Sequence, residues 1–370
     1  MTSPLTRMIE SAFDQARPIN AQLELTYKCN LLCSFCYNNP KEKRELDGRQ
    51  WIAAVDKLKA AGTFTVTLTG GEPFVHRDFF QICEGIRERG MVLKTYTNGV
   101  LLTDRRRAVR YAELGPFDTE ISIHGADAAT HDRLTGIRGS FDKLLEALGV
   151  LSSLGVKVTL KTPITRLNQG QLHAIEKLGE SFGYHVTFDT NIVPADDGDL
   201  GPLGMAPDRT FLVRFFVDQV QRGRRGLRPR PVEKMKQNCG VGRTAITIDP
   251  YGDMFPCVAW RRPIANILEV EDLNALWQGQ AGPNETLDYV RKVAEEVPRK
   301  TLIHHPEGAF ASFCPAAAEK ETGDPYAFYE ASRVSGLTKL EAFEACQRGE
   351  DAAEAEKDDE DPLAQSPDKA

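Results

Sequence analysis

The sequence has no apolar run approaching the roughly 18 residues needed to cross a bilayer, which excludes a helical membrane protein. Its start, MTSPLTRMIESAF, lacks the apolar stretch and small-residue cleavage site of a secretory signal, so a cytoplasmic location is expected. Net charge is also lacking outside one short stretch. Glu350 to Ala370 holds nine acidic and two basic residues and by itself accounts for the formal charge of −7. The neutral remainder gives no electrostatic case for a nucleic-acid or membrane-surface partner. No internal repeat is found. What is present is an ordinary soluble composition over 370 residues, 41% hydrophobic and 27% charged, with enough chain for two or three domains. Eight cysteines in a chain without an export signal point to metal or redox chemistry rather than to structural disulfides.

From Ala21 to about Asn191, short β-branched or aromatic runs alternate with longer helical patterns. Strands are expected at Gln22–Thr26, Phe64–Thr69, Val92–Thr97, Asp118–Ile123, Val156–Lys161 and His185–Thr190. Trp51, Val55 and Leu58 mark one helix between them. Phe141, Leu144, Leu145, Leu148 and Leu151 mark a second, and a third is expected from Asn168 to near Gly183. Six such alternations imply parallel strands with right-handed crossovers, in a partial or complete barrel or an open doubly wound sheet. The pattern then fails in a Gly/Pro/Asp-rich stretch from Pro194 to Pro207. Arg222 to Arg230, five arginines in nine residues, is read as a helix end and solvated linker, with an acidic partner as the alternative. The segment from Glu350 is too charged to bury and is expected to be disordered.

Directly after the first strand the chain reads Cys29-Asn30-Leu31-Leu32-Cys33-Ser34-Phe35-Cys36-Tyr37. A loop at the carboxyl end of a strand is where α/β folds place their active sites. Three thiolates can hold one soft metal centre, but a structural zinc site normally takes four protein ligands and no fourth lies near. A 4Fe-4S cluster held by three cysteines leaves one iron open, which suits catalysis better than electron relay.

This spacing, followed by the aromatic Tyr37, resembles the radical S-adenosylmethionine (radical SAM) superfamily. Thr69-Gly70-Gly71-Glu72-Pro73 is similar to its GGEP element, in which the backbone and Glu72 would receive the amino group of SAM. The two glycines would let the chain approach that ligand closely. Asn98, in Thr97-Asn98-Gly99, resembles the third-strand element. Ser122 stands where a serine often meets the ribose, and Lys161 where several relatives place a basic residue toward the SAM carboxylate. The resemblance implies a partial six-stranded (β/α) barrel from about Ala21 to Pro194, with a lateral opening for a large substrate. It further implies reductive cleavage of SAM to a 5′-deoxyadenosyl radical that abstracts a substrate hydrogen. An external electron donor such as flavodoxin or ferredoxin would supply the electron.

Downstream, Cys239 and Cys257 flank two short strands, Thr244–Asp249 and Met254–Phe255, around a hairpin turn at Asp249-Pro250-Tyr251-Gly252. This Cys-x12-Gly-x4-Cys arrangement resembles the opening of SPASM or twitch auxiliary-cluster domains, but the dense cysteine run of full SPASM domains is missing. One auxiliary iron-sulfur cluster is therefore expected, with Cys239, Cys257 and Cys314 as ligands. Cys346, in a helical pattern, reads at least as well as a buried structural thiol as it does as a ligand, and Cys83, flanked by Phe79, Phe80, Ile82 and Ile86 on a helix, reads as a buried thiol. A structural zinc held by the three cysteines with Cys346, His304 or His305 is the alternative.

The organisation expected is an α/β chain: a (β/α)6 TIM-type partial barrel followed by a small cysteine-containing α+β auxiliary domain. Its boundaries are an extension over 1–20, the radical SAM core over 21–215, an Arg-rich linker over 216–235, the auxiliary domain over 236–349 and the acidic tail over 350–370. The resemblance implies modification of a ribosomally made peptide or protein. With only about 20 residues before the first strand, a separate peptide-recognition partner is expected. A small-molecule radical SAM enzyme and a non-catalytic iron-sulfur relay are the alternatives, and the Gly70–Pro73 element argues against the relay.

Overall fold

The computed structural model describes residues 3–38, 43–223 and 227–349. The acidic segment from Glu350, together with Arg224 and Arg225, lies outside the described residues. Eight strands form one sheet: β1 (Asn20–Thr26), β2 (Thr65–Gly70), β3 (Val92–Thr97), β4 (Asp118–Ser122), β5 (Val158–Pro163), β6 (His185–Asp189), β7 (Ala245–Ile248) and β8 (Met254–Phe255). The spatial order is β6-β5-β4-β3-β2-β1-β7-β8, parallel throughout except for the antiparallel β7–β8 hairpin. The first six strands are the expected ones to within two residues at each end, and they build an α/β partial barrel with β6 and β8 at its edges.

Local chemistry sets the crossovers. The Gly48–Ala60 helix starts in a capping box between Asp47 and Gln50 and buries Trp51, Val55 and Leu58. Ser140–Ser153 buries Phe141, Leu144, Leu148 and Leu151 on one face. Asn168 does not cap a long helix as expected. A 3-10 turn, Gln169–Gln171, leads into the helix Leu172–Ser181, and the Asn168 side chain instead donates to the carbonyls of His124 (3.1 Å) and Pro163 (3.0 Å).

The second half is less separate than its cysteine content suggests. β7 pairs in parallel with β1, and Ile246, Ile248, Met254, Ile267 and Trp277 join the barrel core. A second core around Val232, Trp260, Val290, Val297, Phe313 and Tyr329 belongs to the cysteine-bearing part. The stretch expected to open the linker, from residue 216, continues the helix Arg209–Gln221, which packs on the C-terminal helix Glu330–Arg348 through Phe216, Val217 and Ala342. Two linker arginines have structural partners. Arg222 pairs with Asp218 (2.7 Å) and Glu176 (3.2 Å), and Arg230 donates to the carbonyls of Gly308, Ala309 and Ala311. No helix among the described residues is long and apolar enough to cross a membrane.

Candidate active site

Cys29, Cys33 and Cys36 follow the end of β1 in a loop pinned on two sides. On one side Leu32 N donates to Thr135 O (2.8 Å) and Ser34 N to Leu134 O (3.0 Å), while the Phe35 ring meets His124 edge-on at 5.1 Å. On the other, Gly71 N donates to Thr26 O (2.7 Å), Glu72 N to Lys28 O (2.9 Å) and Asn38 Nδ2 to Gly70 O (2.6 Å). The paired glycines have a visible reason. A Cβ on Gly70 would stand 2.3 Å from Thr26 O, and one on Gly71 2.4 Å from Lys28 O, so neither position admits a side chain. The paired glycines thus let the backbone that launches the cysteine loop approach closely.

All three thiols are free. Burial, with Cys36 and Cys29 adding, pushes the Cys33 thiol up to about 12, and burial likewise raises Cys29 and Cys36. Thiols that raise one another this way resist ionising together until a cationic centre compensates them. Three soft sulfur donors on one loop fit an iron-sulfur cluster with an open iron.

Glu72 is fully buried. Its Oε1 accepts from Phe74 N (3.1 Å) and Thr97 Oγ1 (2.7 Å), and its Oε2 from Asn98 N (2.8 Å). Burial pushes this carboxyl up to about 7 despite those donors. The side chain therefore ties the end of β2 to the end of β3, and only Oε2 has capacity left for an ammonium. Asn98 reaches back to the cysteine loop, with Nδ2 2.8 Å from Asn30 Oδ1 and 3.8 Å from Cys29 Sγ. Ser122 and Lys161 are register partners at the carboxyl ends of β4 and β5, and Lys161 Nζ lies 3.8 Å from Asp189 Oδ2 at the end of β6. Asp189 was not singled out from the sequence, because an acid closing a short strand reads equally well as a turn residue.

In the second half, burial raises Cys239 with Cys314 adding, and it pushes Cys257 up to about 12 with Cys314 and Cys239 adding. Asn238 Nδ2 donates to Phe313 O (3.0 Å), which ties the segments of Cys239 and Cys314 together, and Cys257 and Cys314 both pack against the second core. Cys346 is apart, packed against the core shared by the Arg209–Gln221 and Glu330–Arg348 helices, and Cys83 is in the barrel core. His305 stacks on Phe328 at 4.0 Å and His304 is exposed. Among the described residues no three His, Cys, Asp or Glu side chains are arranged around a single-ion position.

Between the two cysteine groups lies a charge network that the sequence did not reveal. Arg261 pairs with Glu24 on β1 and, at 2.8 Å, with Asp196, which also meets Lys320 at 3.3 Å. Asp196 N donates to Tyr37 O (2.8 Å), beside Cys36.

A family model described as the radical SAM superfamily matches residues 23–178. Over 275 residues the sequence is 33% identical to the mycofactocin maturase MftC of Mycobacterium tuberculosis (strain CDC 1551 / Oshkosh), covering 70% of this chain and 69% of that protein. The chain belongs to the radical SAM superfamily. The PqqA peptide cyclase of Granulibacter bethesdensis is 27% identical over 255 residues, covering 65% of this chain and 68% of the relative. Streptococcus suis SuiB, solved bound to its precursor peptide SuiA, shares the fold with a TM-score of 0.61 at 16% identity, over 79% of this chain and 72% of SuiB. The superfamily match spans the cysteine loop, Gly70–Pro73, Asn98, Ser122 and Lys161. As a radical SAM enzyme the protein uses S-adenosylmethionine and a 4Fe-4S cluster.

Proposed function

We propose that this radical SAM enzyme modifies a ribosomally made peptide. In this reading Cys29, Cys33 and Cys36 hold the SAM-cleaving cluster, while Cys239, Cys257 and Cys314 hold one auxiliary iron-sulfur cluster. The observation that carries it is the interlock of the cysteine loop with Gly70–Glu72 and Asn98 at adjoining strand ends, with a second set of three cysteines across the Glu24–Arg261–Asp196 network. The relatives, a maturase and a peptide cyclase, support the peptide class.

When bound, the cluster supplies one-electron cleavage of the carbon–sulfur bond of SAM. The residues of this chain supply placement. Glu72 and the backbone of Gly70–Gly71 would receive the SAM ammonium, Asn98 would close that end, and Ser122 and Lys161 would meet the ribose and carboxylate. Asp189, paired with Lys161, would fix the direction of the ammonium group. This reading places the protein in a reducing cytoplasm, where its cysteines stay free, with a one-electron donor and a separate peptide-recognition protein as partners.

Anaerobically reconstituted protein should release 5′-deoxyadenosine from SAM on reduction and change the mass of a short peptide encoded beside its gene. Simultaneous replacement of Cys29, Cys33 and Cys36 by Ala should abolish 5′-deoxyadenosine. Unchanged release by that variant would sink the ligand assignment. Turnover supported by a metabolite and by no peptide would sink the substrate class.

A further inference from the structure

A cavity of about 740 Å3 lies between the carboxyl end of β6, the helix Arg209–Gln221 and the cysteine-bearing part. It starts at Thr190–Val193, where β6 leaves the barrel, and reaches Asn238 and Cys314 of the second cysteine group. Ile192, Leu212, Phe216, Phe310 and Val334 give it apolar walls. A hollow of this size takes more than one amino-acid side chain.

Most cations on these walls are already engaged. Arg209 pairs with Glu341, Arg230 donates to three carbonyls and Lys339 Nζ donates to Ser312 Oγ (2.6 Å), which leaves Arg228, exposed on the linker. The acids are not engaged. Glu321, on the helix Pro315–Thr322, keeps Oε1 buried without a hydrogen-bond partner, and Glu330, which opens the helix Glu330–Arg348, has no ion pair among the described residues. Neighbouring cations turn elsewhere: Lys320 to Asp196 (3.3 Å), and Arg333 over the Phe328 ring (5.9 Å). Burial and the charge of Glu330 together raise the Glu321 carboxyl. Two more buried atoms on these walls lack partners, Asn238 Oδ1 and the Oγ of Ser335, a residue only 9% exposed. Unpaired polar atoms around a hollow are costly to a fold unless something else supplies their partner.

We propose that this cavity selects the substrate by seating one of its lysine or arginine side chains, with the cationic tip at Glu321 and Glu330 and with Asn238 Oδ1 and Ser335 Oγ as further acceptors. This rests on the reading that the substrate is a peptide. The long apolar stem of such a side chain suits the walls, and its donors suit an end that offers only acceptors. Selection follows from charge. A neutral side chain of the same length leaves Glu321 unpaired, and an acidic one adds a third carboxylate to two that already repel.

The test uses reconstituted holoenzyme and three blocked pentapeptides, two glycines on either side of a central lysine, norleucine or glutamate, titrated by ligand-observed NMR. The lysine peptide should bind at least about fivefold more tightly than the norleucine peptide, and the glutamate peptide more weakly than either. Glu321→Gln should remove most of the lysine preference while leaving norleucine binding unchanged, which shows that the cavity is still formed. Glu330→Gln should cost less, about twofold, because that carboxylate is exposed. Glu321→Lys should turn the order round in favour of glutamate. Equal binding of the three peptides, no binding of the lysine peptide, or an unaltered preference in Glu321→Gln would overturn the cation site. Turnover of a metabolite with no peptide modified would instead overturn the peptide reading, and the titration reads the cavity without any turnover.

Discussion

The guanidinium of Arg261 forks onto the carboxylate of Glu24, with Nη1 2.9 Å from Oε2 and Nη2 2.6 Å from Oε1. Glu24 is 1% exposed and also accepts from Tyr27 Oη at 2.8 Å. Burial disfavours a charged guanidinium, but the bonds to Glu24 and the charges of Glu24 and Asp196 outweigh it and hold Arg261 protonated. Arg261 lies four residues beyond Cys257, and Glu24 five before Cys29, so this pair joins the two cysteine groups. Arg261→Met should destabilise the protein by about 3–5 kcal/mol, because it strands a buried carboxylate. Adding Glu24→Gln should recover much of the loss. Urea unfolding of the two variants measures both, and an additive double variant would show that the pair is not coupled.

Gly71→Ala should disturb the loop without touching a cysteine. The new methyl would press on Lys28 O, and the cheapest relief is to move the backbone that leads into Cys29. Iron and sulfide at the first site should fall together with 5′-deoxyadenosine formation. Gly170→Ala, where nothing lies within 4 Å of the added carbon, serves as the control and should be silent.

Iron content separates the second-half cysteines. Cys314→Ala should remove the auxiliary iron while the Cys29/Cys33/Cys36 site stays loaded. Cys346→Ala should keep both sites full and cost no more than the loss of a half-buried thiol in an apolar contact. Loss of iron in Cys346→Ala would make it a ligand after all.

His131 should make part of the stability of the fold depend on pH. His124 N donates to His131 Nδ1 at 3.1 Å, which requires that nitrogen to be unprotonated. Burial lowers His131 from 6.5 to about 4. The unfolded chain then binds the extra proton between those values, so this contribution is complete above about pH 6.5 and is lost as pH falls toward 4. His131→Gln keeps an acceptor and cannot titrate. The stability gap between wild type and variant should shrink by about 1.4 kcal/mol per pH unit across that window, read from urea midpoints at each pH. A constant gap would show that His131 does not titrate there.

Period-two alternation and strong turn residues made β1 to β6 legible, and the three-cysteine loop with Gly70–Pro73 made the site legible, because each is written in contiguous sequence. Apart from the turn after Asn168 and the strand-closing Asp189, the misses are long-range. Glu24 alternates with buried neighbours as a solvent-facing residue would, yet it is enclosed by Arg261, more than 230 positions away. The short Ala245–Ile248 run announces a hairpin, but its pairing with β1 is invisible without the fold. His124 and His131 are seven apart and look like surface polar residues until the Phe35 and Phe141 rings pack on them. The helix Arg209–Gln221 runs up to the arginine-rich stretch read as a helix end, but its partner, the helix Glu330–Arg348 at the far end of the chain, is not visible in the sequence.

The seat of β7 has a consequence for biogenesis. β1 is among the first elements to leave the ribosome, yet the neighbour on its outer side is made more than 200 residues later. At about 5–20 residues per second, that edge stays unpaired for roughly ten to forty seconds of synthesis. A nascent chain with an open, apolar edge strand invites mispairing with its neighbours on a polysome. The cysteine loop hangs from that same strand, so metal loading has reason to wait until translation has passed Ile248.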